Sequence, residues 1–320
     1  MRCWIASKSG GIELVEADAP KPEAGQVLVR FRAAAVTHAD AVAIAARPAA
    51  KRSGPRPKAR PFGLSVVGRV EELGPDVSGM SGGMPVFVSE PPDGAYAELL
   101  CVPYRSVTPL PESVRVLAAS VLPPLAVAYS AAERGALQPG SVALVIGQGT
   151  TGLLLTRVLH HAGARVVAAD LSDEKLEIAK TFGAHLCVNV AREPLAERLR
   201  AVAPEGAAAV FPAHYDAQNL TEAVHLTAPG GRVVLLSELG VVERFDTRPM
   251  TERAVDLLSL PVVGSHAAAP RSRAIRALAS REIDAERVVT HRLPLEALPA
   301  AAELADGTHP EVVQVVVEAE

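Results

Sequence analysis

The chain has 320 residues, of which 49% are hydrophobic, and a formal net charge of −4. This length allows two domains with substantial cores, and the composition excludes a disordered chain and argues against a nucleic-acid binder. No apolar run is long enough to span a bilayer, and three widely spaced cysteines fit a reducing compartment. We therefore expect a cytoplasmic protein that has neither nucleic acid nor a membrane as a partner.

The first 120 residues contain short β-type segments separated by Gly and Pro, a pattern typical of a compact β-rich domain. The predicted strands cover residues 11–16, 26–34, 64–73, 85–89 and 96–102. Residues 47–60 are rich in Arg, Lys and Pro and contain no aromatic residue, which favours a solvated loop.

From about residue 125 apolar strands alternate with helices, which predicts right-handed βαβ units and a doubly wound parallel sheet. Ser172 is the expected N-cap of one helix, and Gly183 is expected to end it. The predicted strands cover residues 142–146, 165–169, 185–190, 207–213, 232–237 and 260–265, with helices at 153–161, 173–182, 194–202 and 217–227.

The last 55 residues return to a mixed pattern, with predicted helices at 273–280 and 295–306 and strands at 287–293 and 312–317. We expect this segment to rejoin the N-terminal β-rich domain. The predicted domains are therefore residues 1–124 with 267–320, and residues 125–266 inserted between them.

A dinucleotide-binding fingerprint follows the first strand of the inserted domain. Gly147, Gly149 and Gly152 have the G-x-G-x-x-G spacing, and Thr150 and Thr151 complete the turn. The three glycines permit a tight turn, close approach of the pyrophosphate, and close packing of helix on strand. The free N–H groups at the start of the following helix would face the phosphates.

Asp170 ends the next predicted strand, 18 residues after the last glycine of the fingerprint. An acidic residue at this place accepts hydrogen bonds from the adenosine ribose, and its charge repels the 2′-phosphate of NADP(H). No Arg follows it directly. The sequence therefore favours NAD(H), with NADP(H) as a possible cofactor.

The chain resembles the medium-chain dehydrogenase/reductase superfamily of zinc alcohol dehydrogenases and zinc-free quinone oxidoreductases. The resemblance is carried by AAAVTHAD (33–40), PFGLSVVGRVEELGPDVSG (61–79), DGAYAELLCVP (93–103), the fingerprint, DLSDEKLEIAKTFGA (170–184), APGGRVVLL (228–236) and VTHRLPLEALPAAAEL (289–304). It implies a Rossmann nucleotide domain inserted into a β-rich GroES-like catalytic domain.

The zinc-ligand positions of the zinc-dependent branch fall, on this resemblance, on Thr37, Leu64 and Pro123 or Pro124. These side chains lack the thiolate and imidazole donors that zinc requires. The chain also contains no C-x-x-C sequence, so the four-cysteine structural zinc lobe is missing. The resemblance therefore implies a zinc-free member.

The resemblance also assigns candidate roles to single residues. Thr37, Ser65 and Tyr129 fall near the substrate, where a hydroxyl could polarise a carbonyl or relay a proton. Asp40 matches an acid whose usual His partner is absent, and its role stays open. The cofactor candidates implied by the resemblance, besides the fingerprint and Asp170, are His38, Lys175 and His214.

We expect a zinc-independent, NAD(H)-linked oxidoreductase that moves a hydride between the nicotinamide and a small carbonyl, alcohol or activated alkene. The alternatives are an NADPH-dependent quinone or enoyl reductase and a catalytically inactive nucleotide-binding protein. Residues 260–265 match an edge strand that, in relatives, pairs with its two-fold copy. Because such pairing covers an exposed apolar edge, the expected assembly is a homodimer.

Overall fold

The computed structural model describes residues 1–7, 11–45, 62–213, 217–236, 247–260 and 268–319. The chain forms two compact units. The terminal unit contains Met1–Val121 with Leu278–Glu320, and the central unit contains Leu122–Ala277. The sequence analysis placed the two points where the chain passes from one domain to the other at 124/125 and 266/267. They lie instead at the start of one helix and near the end of another, which a change of pattern along the sequence does not mark.

Among the described residues, the strands of the terminal unit range from three to eleven residues, and those of the central unit are mostly four to six residues long. In chain order they are β1 (Arg2–Ala6), β2 (Ile12–Glu16), β3 (Gln26–Val36), β4 (Ser65–Leu73), β5 (Pro85–Ser89), β6 (Leu99–Pro103), β7 (Val107–Pro109), β8 (Val142–Ile146), β9 (Arg165–Asp170), β10 (Leu186–Asn189), β11 (Ala207–Pro212), β12 (Thr227–Leu235), β13 (Asp256–Ser259), β14 (Val289–Pro294) and β15 (Gln314–Glu318).

The helices lie mainly between the strands of the central unit. They are α1 (His38–Ala45), α2 (Val116–Ser120), α3 (Leu122–Gly135), α4 (Thr150–His161), α5 (Asp173–Thr181), α6 (Leu195–Arg200), α7 (Ala217–Leu226), α8 (Arg248–Arg253), α9 (Ala268–Ala279) and α10 (Leu298–Leu304), with 3₁₀ turns at Tyr104–Ser106, Ala285–Val288 and Leu295–Ala297. Among the helices that the structure describes, none is both long and apolar enough to cross a membrane.

The terminal unit is built on a sheet with the strand order β14-β15-β3-β4-β5-β7, in which β6 also pairs with β3. The long strand β3 shows how the sequence forms this sheet. Val27, Val29 and Phe31 are at most 1% exposed, while Arg30 and Arg32 are exposed. Around these residues the side chains of one face are buried in the core and the two arginines of the other face reach solvent, whereas Leu28 on that second face is also buried.

The central unit contains a six-stranded sheet with the order β10-β9-β8-β11-β12-β13. Every pair of neighbouring strands in it is parallel. Renumbered from β8, this is the order 3-2-1-4-5-6 of a doubly wound dinucleotide-binding sheet, whose order reverses between β8 and β11. The predicted fold class is therefore confirmed.

Several predicted elements differ from the structure. The predicted strand at 96–102 begins only at Leu99, and the predicted helix at 295–306 is a 3₁₀ turn followed by α10. The sequence analysis missed α1, because HADAVAIA is short and its apolar residues show no helical period. The predicted edge strand at 260–265 and the basic segment at 47–60 lie wholly or mostly outside the described residues.

His160 packs in the central unit against His185, with 5.5 Å between the ring centroids. Its Nδ1 atom is buried and has no hydrogen-bond partner among the described residues. A Cβ atom at Gly183 would overlap the same imidazole ring. Burial, followed by the nearby charges of His185, Arg157 and His161, lowers the pKa of His160. The neutral ring is therefore the form that the folded chain favours.

We expect the free energy of unfolding to fall as the pH drops below about 6.5, the ordinary histidine pKa. The unfolded chain binds a proton at His160 there, whereas the folded chain takes it up only at lower pH, so acid favours unfolding. Urea unfolding of the wild type and of His160→Gln at pH 8 and pH 5.5 checks this. An equal loss of stability in both proteins would assign the pH dependence to other groups.

Candidate cofactor and active site

The turn between β8 and α4 has the backbone that its glycines predict. Gly147 has φ of +93°, in the region that side chains rarely adopt, and it directly follows the last residue of β8. Gly149 is the N-cap of α4 and has no side-chain cap. The first N–H groups of a helix have no partner within the helix and are available to an anion.

The other two glycines of this turn are required for different reasons. A Cβ atom at Gly152 would overlap the backbone oxygen of Gly147, so the protein itself needs glycine there. A Cβ atom at Gly149 would have no heavy atom of the described chain within 4 Å, apart from its neighbours in sequence. Its φ of −70° and ψ of −172° suit other residues too. Neither the packing nor the backbone of the protein explains Gly149, whereas a pyrophosphate lying against the turn does.

Asp170 ends β9 and is held by two backbone N–H groups. The N–H of Gln148 donates to its Oδ2 at 2.6 Å, and the N–H of Ser172 donates to its Oδ1 at 2.9 Å. A carboxylate offers about four acceptor positions, so each oxygen keeps one for a further donor. Two remaining acceptor positions on a fixed carboxylate match the two hydroxyl groups of a ribose.

A buried polar pair beneath the turn was missed by the sequence analysis. The side chains of Gln148 and Thr156 are both 0% exposed. The Thr156 hydroxyl donates to Gln148 Oε1 at 3.0 Å, and Gln148 Nε2 donates to the carbonyl oxygen of Val145 at 3.1 Å. These bonds fix the residue whose N–H holds Asp170. A Gln inside the fingerprint and a Thr within the apolar helix were the available sequence signals.

The segment after Asp170 begins α5 as predicted. Ser172 is the N-cap, and its Oγ accepts the N–H of Lys175 at 3.2 Å. The side chain of Lys175 is partly exposed. Leu171 is 69% exposed and Val190 is 37% exposed, and they follow neighbouring parallel strands beside Asp170. The sequence analysis named neither, although an apolar residue directly after the acid at the end of this strand suits contact with an adenine ring.

A second polar cluster lies at the start of α1 in the terminal unit. Asp40 is 4% exposed, and its carboxylate accepts hydrogen bonds from Thr37 and Gly63. Its Oδ2 accepts the N–H of Thr37 at 2.9 Å and the Thr37 hydroxyl at 2.7 Å, and its Oδ1 accepts the N–H of Gly63 at 2.8 Å. Asp40, whose role the sequence left open, therefore fixes the orientation of the Thr37 hydroxyl.

Tyr96 is buried beside this cluster, at 3% exposure. Its hydroxyl donates to the carbonyl oxygen of Ala35 at 3.3 Å. Burial and the nearby Asp40 carboxylate raise the pKa of Tyr96 well above its ordinary value, so the phenol stays protonated.

The positions that the resemblance aligns with zinc ligands carry poor ligands. Thr37 gives its hydroxyl proton to Asp40, Leu64 is an apolar side chain at 55% exposure, and positions 123 and 124 are prolines in α3. Within the described residues, no group of three or more His, Cys, Asp or Glu side chains is arranged to hold a metal ion. The donor chemistry at these positions does not fit zinc.

The remaining candidates lie on three different elements. Ser65 begins β4 and is 9% exposed. Tyr129 is 2% exposed on α3, and the guanidinium of Arg273 lies 4.8 Å from its ring centroid. His38 is exposed at the start of α1, next to Gly307. His214 lies outside the described residues.

Comparison with known proteins supports the dehydrogenase fold. Two family models match the chain, one described as an alcohol dehydrogenase GroES-like domain (residues 23–112) and one as a zinc-binding dehydrogenase (residues 150–269). The NAD-dependent alcohol dehydrogenase of Sulfurisphaera tokodaii is 26% identical over 282 residues, which cover 77% of this chain and 81% of the relative.

Solved structures share the fold over the whole chain. The TM-score is 0.87 with the alcohol dehydrogenase rspB of Escherichia coli CFT073 complexed with NADH, at 22% identity and 99% coverage of each chain. It is 0.83 with the alcohol dehydrogenase TADH of Thermus sp. ATN1, at 24% identity and complete coverage of both. The two family models together span more than half of the chain. The chain therefore belongs to the medium-chain dehydrogenase/reductase superfamily of NAD(P)-dependent oxidoreductases.

Proposed function

We propose that this chain is a zinc-independent, NAD(H)-linked oxidoreductase that acts on a small carbonyl, alcohol or activated alkene. One observation carries the proposal. An intact dinucleotide-binding turn stands in the same chain as Thr, Leu and Pro side chains at positions 37, 64 and 123–124. The turn would bind the cofactor that carries the hydride, and the side chains at these positions offer no ligand set for a catalytic metal.

The preference for NAD(H) rests on Asp170. Its carboxylate is already fixed by Gln148 and Ser172, and each oxygen can accept one ribose hydroxyl. A 2′-phosphate would bring a second negative charge to the same carboxylate, which disfavours NADP(H). The fingerprint residues Gly147, Gly149, Thr150, Thr151 and Gly152 would hold the pyrophosphate, with Lys175, His38 and His214 as further contacts.

The nicotinamide supplies the hydride chemistry when the cofactor is bound. The chain itself would bind and orient the substrate and exclude water from it. Thr37, Ser65 and Tyr129 stay proposed contacts to the substrate. Of the three, Thr37 combines a partly exposed side chain with a hydroxyl whose orientation is fixed. It is therefore our first choice for a contact to the reacting oxygen.

We expect the purified protein to contain no stoichiometric zinc and to oxidise NADH equally well before and after treatment with a chelator. Elemental analysis gives the first result. A panel of aldehydes, ketones, quinones and enones gives the second, with a zinc-dependent alcohol dehydrogenase treated in parallel as the control. One zinc per chain, with turnover lost on chelation, would overturn the proposal. NADH binding without turnover of any compound would favour the catalytically inactive alternative.

The assembly is a separate proposal, made from the sequence of residues 260–265. An apolar strand at the edge of the parallel sheet would pair with a second copy of the chain in a homodimer. Light scattering at micromolar concentration tests it, and a monomeric mass would rule it out.

A further inference from the structure

The terminal unit contains a charged cavity that is separate from both candidate sites described above. It has a volume of about 250 Å³, and its described lining residues all belong to this unit. The charged ones are Arg2, Arg30, Arg32, Glu98 and Glu296. None of them belongs to the Asp40 cluster or to the dinucleotide-binding turn. A ligand of this cavity would therefore bind without the cofactor.

The backbone holds Arg32 at an irregular point of β3. Phe31 and Ala33 pair with two consecutive residues of β4, so Arg32 is the extra residue of a β-bulge. Its carbonyl oxygen accepts the N–H of Ala319 at 2.9 Å. Bulges of this kind redirect a side chain and are common next to functional sites.

The ion pairs around the cavity leave the Arg32 guanidinium without a counterion. Arg2 pairs with both glutamates of the cavity at 2.8 Å, and Arg30 binds the two oxygens of Glu71 at 2.8 and 2.6 Å. Within the residues that the structure describes, Arg32 has no ion-pair partner. A guanidinium presents five N–H donors in a planar fork that matches a carboxylate or a phosphate. Arg32 therefore offers its whole fork to an anion from solution.

The two glutamates restrict which anion suits the cavity. The backbone N–H and the Nε of Arg2 bind the two oxygens of Glu98 at 2.8 Å, and these bonds lower the pKa of Glu98 and keep it ionised. A carboxylate has about four acceptor positions, so Glu98 can accept further donors. A doubly charged phosphate would meet two like charges in the same cavity, whereas a molecule that carries both a carboxylate and an ammonium group would meet a counterion for each.

We propose that this cavity binds a small α-amino acid, whose carboxylate pairs with Arg32 and whose ammonium group pairs with Glu98 and Glu296. The volume lies just below the range of about 300–1,000 Å³ for pockets that take drug-sized ligands, which suits a molecule of this size. The site is additional to the proposed oxidoreductase activity and does not depend on it.

The test is calorimetric titration of three related probes into the full-length protein without cofactor. L-alanine carries both charged groups, propionate lacks the ammonium group, and L-alaninamide lacks the carboxylate. We expect L-alanine to bind, and each of the other two to bind about 10-fold more weakly or worse, because each loses one charge-assisted contact.

Two variants and a control locate the site. Arg32→Gln should weaken L-alanine binding by about 10- to 100-fold and leave the melting temperature unchanged, because no ion pair of the described residues is lost. Glu296→Gln should weaken the binding of L-alanine but not that of propionate. Arg105→Gln removes another exposed arginine of the same unit, one that does not line the cavity, and should change neither affinity.

Binding of L-alanine that depends on Arg32 and Glu296 but not on Arg105 supports the inference. It is overturned if L-alanine does not bind, if propionate or inorganic phosphate binds as well as L-alanine, or if either cavity variant keeps the affinity of the wild type. The three probes decide on the wild type alone if a variant does not fold. Titration with NADH is a separate measurement, and its failure would count only against the proposed oxidoreductase activity.

Discussion

The substitution Gly149→Ser is expected to weaken NADH binding by about 10- to 100-fold, or roughly 1.4–2.8 kcal/mol, while the chain stays as stable as the wild type. A serine side chain there would lie in open space and suits the N-cap of α4, so the fold has no reason to lose stability. The pyrophosphate, however, needs the space that the side chain would occupy.

The substitution Gly152→Ser, in contrast, is expected to destabilise the fold. Its Cβ atom would overlap the backbone oxygen of Gly147, and backbone cannot move aside as a flexible side chain can. Overpacking of this kind costs about 3 kcal/mol, which lowers the melting temperature by roughly 6–12 °C. Thermal unfolding and NADH fluorescence titration of both variants provide the comparison. A Gly149→Ser protein that binds NADH normally would show that the turn does not hold the pyrophosphate, and a destabilised one would show that the fold itself needs this glycine.

Asp170→Asn is expected to reduce the preference for NADH over NADPH, because it should weaken NADH binding and strengthen NADPH binding. Charge-assisted hydrogen bonds to the ribose contribute about 1.5–3 kcal/mol, so NADH affinity should fall by roughly ten- to a hundred-fold. Loss of the negative charge should at the same time improve NADPH binding. An amide has only one acceptor oxygen, so the N–H of Gln148 or of Ser172 also loses its acceptor, and stability should fall by about 1–3 kcal/mol.

Calorimetric titration of both cofactors into the wild type and Asp170→Asn measures this change. Ser172→Ala serves as a control, since it removes an N-cap next to the carboxylate but leaves the carboxylate and both of its N–H donors in place. If the ratio of the NADH and NADPH affinities is unchanged in Asp170→Asn, or if the wild type binds both cofactors equally well, Asp170 does not bind the ribose.

The central unit was easier to predict than the terminal unit for a physical reason. Its central strands are buried and read as short apolar runs such as VALVI, so their existence and the parallel, doubly wound class of the sheet follow from the sequence. In the terminal unit, α1 shows no helical period, and β1 is held by antiparallel pairing with β2. Tertiary contacts determine the secondary structure of such segments, and no local sequence pattern indicates those contacts.

The cofactor turn could be predicted because its glycines follow a strand at the spacing of a dinucleotide-binding fingerprint, a signal that is local in sequence. The polar contacts around the turn could not be predicted from the sequence. Gln148 and Thr156 are eight residues apart and meet only because α4 folds back beneath the turn. Asp40 was recognisable as an acid without its usual partner. Its bond to Gly63, 23 residues away, required the folded terminal unit.

Deuterium transfer in metal-free protein tests the central claim most directly. The protein is dialysed against a chelator and given NADH dideuterated at C4 with the best compound of the panel, and mass spectrometry locates the deuterium in the product. We predict deuterium on the reduced carbon at the same yield with and without added zinc. Transfer that occurs only after zinc is restored would contradict the account.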